Sequence, residues 1–441
     1  MSDIINKLEK VVLSIAYYTN WFCGIGIIEY PIGKQHRVMS FLYTGVVLIV
    51  YSVLSVYVYS DFAIVSRDYE VNQTMMKGVY CATFILTFST IVMGWYRNKE
   101  IRSILQRMNI AMRIIDKLGA SKNYTKAFTV QVGYAVGTLT FLIIIVIINA
   151  LVVYKRDPKH DSHVLTVMAV NYPLIILQVV DTLFINIIQY ARKNMRVIND
   201  VLREMLTSTQ DFPQHTKIVR RYLRTLDSPE LDTDIVDQKT DAEDKMYTIN
   251  MSKKAHLTLV KICQETDDTF GLHILLSVIV AIITITVSIY HIYMLVDYLS
   301  ISRAIYDNTL LPVCILLIYY YVKIHAISHF CSSTSEEAVI TGDIISELYD
   351  DSSIGIESQT EIRQFGDQIV QNSLTFKAHG FVTLDFTLIQ NVKNGIKCVS
   401  SFKCTLFYFN IFIMLQVVGF VTTYLMILIQ FGSSTSIEIS R

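Results

Sequence analysis

The sequence predicts an all-α membrane protein of seven transmembrane helices, with a cytosolic N-terminus, an extracellular C-terminus and a helical cytosolic anchor region. Three observations lead there. Of 441 residues, 52% are hydrophobic and 17% charged, whereas soluble domains carry about 25% charged residues; the mean hydropathy is +0.42. Seven apolar runs approach the ~20 residues that a helix needs to cross ~30 Å of hydrocarbon; they cover 39–60, 78–96, 129–154, 164–190, 270–297, 305–328 and 405–431. The loop after the second run carries Arg97, Lys99, Arg102, Arg107, Arg113, Lys117, Lys122 and Lys126 against only Glu100 and Asp116. Short basic loops stay in the cytosol, and alternating from that loop fixes the orientation of every span.

In order along the chain, residues 1–38 form a cytosolic N-terminal segment, mixed and amphipathic, without the pattern of a removable signal peptide. Residues 39–190 hold spans one to four, with the basic cytosolic loop at 97–128. Of three sequons only Asn72 falls in an external connection, so it is the expected glycan site; Asn123 and Asn250 fall inside. Residues 191–269 read as a cytosolic helix followed by a mobile loop: Met195, Ile198, Leu202 and Met205 keep helical period, and an acidic, turn-rich stretch covers Ser208 to Asp244. Spans five and six occupy 270–328. Residues 329–404 read as cytosolic anchor helices, with Val339, Ile344, Leu348, Ile362, Phe365, Ile369 and Val370 as the apolar face, plus an atypical insertion at 391–414. Residues 405–431 form the seventh span, and 432–441 an extracellular tail.

Several classes are excluded by what the composition lacks. A formal net charge of zero offers no basic face for nucleic acid. The seven cysteines show neither zinc spacing nor a dense extracellular cluster, so neither metal nor disulfide is expected. No nucleotide-binding loop, zinc-protease or hydrolase motif is present, and the chain is expected to have no catalytic residues and no cofactor. Two charges inside spans invite explanation. Asp181 has Gln178 one turn away for a structural hydrogen bond, and Lys323 lies near the inner end of span six, where its stem would snorkel to water.

Two constellations remain. The outer halves of different spans carry Tyr51, Tyr57, Tyr59, Tyr80, Asn149, Tyr154, Asn171, Tyr172, Tyr290, His291 and Tyr306. Aromatic walls with a few polar groups at one depth suit a small-molecule pocket; Tyr57, Tyr80, Asn149, Tyr172, Tyr290, His291 and Tyr306 are its candidate lining. In the last span Gln416, Gly419, Thr423, Met426 or Ile427, and Gln430 share one helical face. Repeated around a symmetric oligomer, that face lines a pore whose neutral dipoles solvate ions and whose Met426 or Ile427 ring closes by dewetting. Ordinary helix packing through small and polar residues is the alternative.

The last span closes on Thr423-Tyr424, five apolar residues, then Gln430-Phe431. This motif, with the upstream run from His379 to Ile389, resembles the insect gustatory receptor family, closest to its fructose-type or broadly tuned branches, and the likeness covers essentially the whole chain. The resemblance implies a tastant-gated nonselective cation channel in the plasma membrane of a sensory neuron dendrite. It further implies a homotetramer, or a heteromer with related receptors, whose seventh helices surround the pore, and a sugar or bitter compound as ligand. The insertion at 391–414 departs from the family pattern, in which the segment ending near Ile389 runs almost directly into the last span. Two other classes share seven spans. A G-protein-coupled receptor requires the basic loop outside, and a secondary transporter requires inverted repeats, for which Pro173 is the sole candidate helix break.

Overall fold

The computed structural model of the chain describes residues 24–25, 37–60, 70–118, 124–156, 163–210, 233–298, 310–350, 356–390 and 392. Within them run seven long helices: α1 (Arg37–Ser60), α2 (Glu70–Lys117), α3 (Tyr124–Arg156), α4 (His163–Gln210), α5 (Thr233–Tyr298), α6 (Leu310–Asp350) and α7 (Ile356–Gln371). A two-stranded hairpin follows, β1 (Lys377–Ala378) paired antiparallel with β2 (Val382–Thr383), Lys377 opposite Thr383. Helices α1, α2, α4, α5 and α6 each carry a stretch long and apolar enough to cross a membrane, and α3 a shorter apolar run, Val136–Val152. The predicted seventh span lies outside the described residues.

Four helices are far longer than a bilayer requires. At about 1.5 Å per residue, the 48 residues of α4 and 66 of α5 outrun a ~30 Å hydrocarbon layer. Their charged extensions, at 191–210 in α4 and 233–269 in α5, gather with 97–117 of α2 and 329–350 of α6 at one end of the bundle, here called the basic end after the Arg97-to-Lys117 stretch of α2. Most of the basic loop expected at 97–128 is therefore helix, since α2 continues to Lys117. Arg97, its first base, is buried on the Phe270 ring at 5.3 Å. Of the stretch expected as a mobile loop, 233–244 is already helix because α5 begins at Thr233, and 211–232 lies outside the described residues. No glycine or proline interrupts the chain between Pro229 and Gly271, so nothing stops the helix once it has started.

The surface inverts the pattern of a soluble protein. Phe41, Leu42, Val46, Ile49, Val53 and Val56 on α1, and Leu139, Ile143, Ile147 and Leu151 on α3, are exposed, as lipid-facing residues must be. One continuous core runs from the apolar spans into the basic end. There the anticipated stripes are largely inward: Met195, Ile198, Leu202, Ile344, Leu348, Ile362 and Phe365 are buried, while Val339 and Val370 are 62% and 79% exposed. Val370 lies about 100° around α7 from Ile369, on the far side of a stripe that Ile362, Phe365 and Ile369 already complete.

Polar contacts staple the basic end. Arg107 of α2 reaches Glu265 of α5 at 2.7 Å, and Lys253 of α5 donates to Glu361 at 3.0 Å and Gln364 at 2.8 Å on α7. Across α4 and α6, Arg196 pairs with Glu337, the Asn199 amide donates to the Glu337 carbonyl at 3.0 Å, and the Thr341 hydroxyl donates to Asn199 Oδ1 at 2.7 Å.

His256 of α5 has a different role. It is 2% exposed, edge-on to the Phe365 ring at 5.7 Å, with Nε2 unbonded. Burial pushes its imidazole down to about 4, against about 6.5 in an unfolded chain. Between those values the unfolded chain binds a proton that the native one refuses, so stability is complete above about pH 6.5 and is lost as pH falls toward 4. The slope from this residue is at most about 1.4 kcal/mol per pH unit. We expect the melting temperature of purified protein to fall more between pH 7 and pH 5 than that of His256→Leu; equal falls would show that His256 carries no such load.

Candidate functional site

The end of the bundle opposite the basic one gathers aromatic and polar side chains between α1, α2, α3, α4 and α6. Tyr51 of α1 is the centre. Its ring stacks on Phe84 of α2 at 5.3 Å and tilts against Tyr172 of α4 at 4.9 Å. Ser55, one turn along α1, stands beside the hydroxyls of Tyr51 and Tyr80, and Thr87 of α2 stands beside Tyr51 as well. The Tyr51 and Ser55 oxygens are buried, yet neither makes a properly angled hydrogen bond. Hydroxyls that meet each other off the ideal angle keep part of their hydrogen-bonding capacity unused, and a ligand with polar groups of its own can use it. Nearby, Asn149 of α3 donates to Asn171 of α4 at 2.7 Å, and Asn171 in turn donates to the Val167 carbonyl.

Below this layer lies another. Tyr319 of α6 donates to Gln178 of α4 at 3.0 Å, with its ring stacked on Phe141 of α3 at 6.2 Å and against Tyr320 at 5.0 Å. One helical turn deeper, Lys323 of α6 pairs with Asp181 of α4 at 2.6 Å, and His273 of α5 sits 3.2 Å from the other Asp181 oxygen. An ionised carboxylate only accepts, so His273 Nε2 carries the hydrogen. Its Nδ1 then accepts from the Thr90 hydroxyl of α2, 3.1 Å away, a hydroxyl that otherwise donates to the Leu86 carbonyl. Asp181 is 1% and Lys323 7% exposed. Four helices thus converge on one charge pair whose net charge is zero.

This arrangement corrects two expectations. Lys323 does not snorkel to water; the carboxylate it meets comes from another helix. Gln178 does not serve Asp181; it accepts from Tyr319 and donates to Thr182 at 3.2 Å. Of the candidate pocket residues, the structure brings Tyr80 and Tyr172 to Tyr51, and Asn149 to Asn171. Tyr57 is half-buried on α1; on α5 Tyr290 is buried and His291 half-buried. Tyr306, the glycan candidate Asn72 as a side chain, and Gln416, Gly419, Thr423, Tyr424, Met426, Ile427, Gln430 and Phe431 lie outside the described residues. Tyr51, Phe84, Phe141 and Tyr319 enter the cluster without having been singled out as its lining. Their signal was present as aromatic residues in spans, but helix-to-helix register decides which of them face inward.

The charge pair makes a sharp prediction. Removing one member of a buried pair costs about 3–5 kcal/mol, because the other is left uncompensated, whereas replacing both by apolar residues is close to neutral. Lys323→Met and Asp181→Leu should each lower the thermal stability of the purified protein by that amount, and the double variant should recover most of it. Singles within about 1 kcal/mol of the parent would mean the pair carries no load.

Comparison with known proteins fits the geometry. The fold matches the insect olfactory receptor OR5 from Machilis hrabei, with a TM-score of 0.60, 9% identity, and coverage of 94% of this chain and 99% of that one. The same receptor in complex with eugenol matches with a TM-score of 0.58, 10% identity, and coverage of 94% and 98%. At such identity the likeness establishes the fold. No curated protein matches by sequence. The profile described as 7tm Chemosensory receptor matches residues 13–392, most of the chain including every helix that builds the site, and the protein therefore belongs to the 7tm chemosensory receptor family.

Proposed function

We propose that this protein is a gustatory receptor: a tastant-gated, nonselective cation channel in the plasma membrane of a sensory neuron dendrite, with the basic end in the cytosol. The observation that carries the reading is the buried pair of hydroxyls on Tyr51 and Ser55, set beside each other and walled by Phe84 and Tyr172. Aromatic faces and a few fixed polar groups are what a small-molecule site requires. Deeper in the bundle Asp181 and Lys323 neutralise each other, and Lys77 of α2 lies over the Tyr59 ring at 5.4 Å; walls of aromatic rings and hydroxyls favour an uncharged ligand. Sugars and many bitter compounds meet that condition, and the eugenol complex of the matched olfactory receptor supports a neutral, hydroxylated ligand for this fold.

Binding drives opening only through a difference in affinity between closed and open arrangements. In this reading the ligand satisfies the Tyr51 and Ser55 hydroxyls better in the open state. Four copies, or this chain with related receptors, then conduct through an axis lined by Gln416, Gly419, Thr423, Met426 or Ile427, and Gln430. The inside orientation of this end is supported by the Lys- and Arg-rich stretch from Arg97 to Lys126, and predicts glycan on Asn72.

Expression in oocytes with a panel of sugars and bitter compounds should give ligand-evoked cation current that persists under complete G-protein block; current that requires nucleotide exchange would overturn the channel reading. Tyr51→Phe should raise the half-activating concentration about 5- to 10-fold, the loss of roughly one hydrogen bond, with surface level unchanged. An unaltered dose response would remove Tyr51 from the site. Gln430→Ala should change permeability ratios between cations while leaving the half-activating concentration in place, and identical ratios would take Gln430 off the conduction path.

A further inference from the structure

The hairpin that precedes the last apolar run is seated on α5 by two residues one turn apart. Asp267 Oδ2 accepts the backbone N–H of Lys377 at 3.0 Å. Gly271 lies so close beneath the turn that a Cβ there would stand 2.9 Å from the His379 amide nitrogen. The turn itself needs left-handed backbone, with φ of 49° at His379 and 79° at Gly380, and the base of the hairpin is closed by Leu384 N–H donating to the Phe376 carbonyl at 3.0 Å. Phe376, Ala378 and Leu384 are buried, so the hairpin is packed as well as bonded. Directly after it, Asp385 accepts the Thr387 amide at 3.0 Å and caps a helical turn over 386–390, from which the chain proceeds toward 405–431.

We propose that Asp267 and Gly271 are positioning residues that clamp this hairpin to the foot of α5, set where the seventh helix begins, and release it when the cytosol acidifies. The proposal rests on the channel reading for its consequence and on the local geometry for the clamp. Both residues lie at the foot of the α5 span: Asp267 precedes the apolar run that starts at Phe270, in the stretch that also carries Lys253, Lys254, Lys261 and Glu265.

The groups facing Asp267 are Asp268 and Cys263 of its own helix, Cys331 of α6, and Lys377 of the hairpin, with His379 beside Gly271. Its second oxygen is buried without a hydrogen bond. Burial, reinforced by Asp268 and opposed by the Lys377 amide, pushes the carboxyl up to about 6. It is therefore ionised at neutral pH and takes up a proton as pH falls through about 6. Hydrogen bonds to a charged acceptor are about twice as strong as those to a neutral one, so protonation weakens the seat. Gly271 contributes by shape alone and does not respond to pH.

Hydrogen–deuterium exchange on the purified full-length protein tests the clamp, read on the peptide covering 376–384. At pH 7.2, Asp267→Asn and Gly271→Ala should each speed exchange at the Lys377 amide about 5-fold, the loss of roughly 1 kcal/mol. After correction for intrinsic rates, the parent should lose protection between pH 7.2 and 5.8 while Asp267→Asn stays flat. Unchanged exchange in Asp267→Asn, or parent protection that ignores pH, would overturn the clamp. In inside-out patches the ligand-free current of the parent should change at least about 2-fold over the same acidification and that of Asp267→Asn should not; a parent current indifferent to cytosolic pH would overturn the release step. A chain that carries no current under any condition fails the channel reading instead, and the exchange measurement still decides the clamp.

Discussion

The buried ion pair between Asp181 and Lys323 is the constraint on which the arrangement of the bundle depends. Two charges inside an apolar core are tolerable only at contact distance. That demand fixes the register of α4 against α6, and with His273 and Thr90 it ties in α5 and α2. Once the register is set, the other polar rungs between α4 and α6 follow at nearly constant sequence separation: Gln178 meets Tyr319 above, and Arg196 and Asn199 meet Glu337 and Thr341 below. These rungs run along a parallel helix pair for about 30 Å. Each is worth little alone, on the order of 1 kcal/mol or less, but together they make the pair a single strut.

The strut joins the two parts of the molecule that the proposed ligand-gated channel has to connect. At one end Tyr172 and Asn171 of α4 form a wall of the Tyr51 cluster; at the other, α4 and α6 enter the helical mass that also holds α7 and the hairpin before the last span. A stiff element passing from pocket to anchor transmits a displacement without absorbing it. Softer packing is found elsewhere: α1 and α3 turn much of their apolar surface to lipid.

How much of this could be read from sequence depended on whether the feature was local. The apolar runs announce the spans because a helix must satisfy its backbone internally in lipid, and five reappear in the described helices as stretches able to cross. The inward stripe through Met195, Ile198 and Leu202 is legible because 3.6-residue periodicity is a property of one segment. The partnership of Asp181 with Lys323 is not, since 142 positions separate them and register between helices is written nowhere in either segment. Local chemistry favoured the nearby Gln178 and a snorkelling lysine; the structure chose partners across the bundle because a buried charge finds better compensation there than one amide supplies. The start of α5 at Thr233 was missed for the opposite reason: an acidic composition resembled a loop, yet after Pro229 no glycine or proline follows before Gly271 to break a helix.

An experimental structure of the full-length protein by cryo-electron microscopy, with and without an activating ligand, would test the strut most directly. The account predicts that Lys323 Nζ stays within about 3 Å of Asp181, and Tyr319 within hydrogen-bond distance of Gln178, in both states, while the Tyr51 layer rearranges around the ligand. A map in which Lys323 points to the aqueous boundary, or in which α4 slides past α6 by a turn on activation, would contradict it.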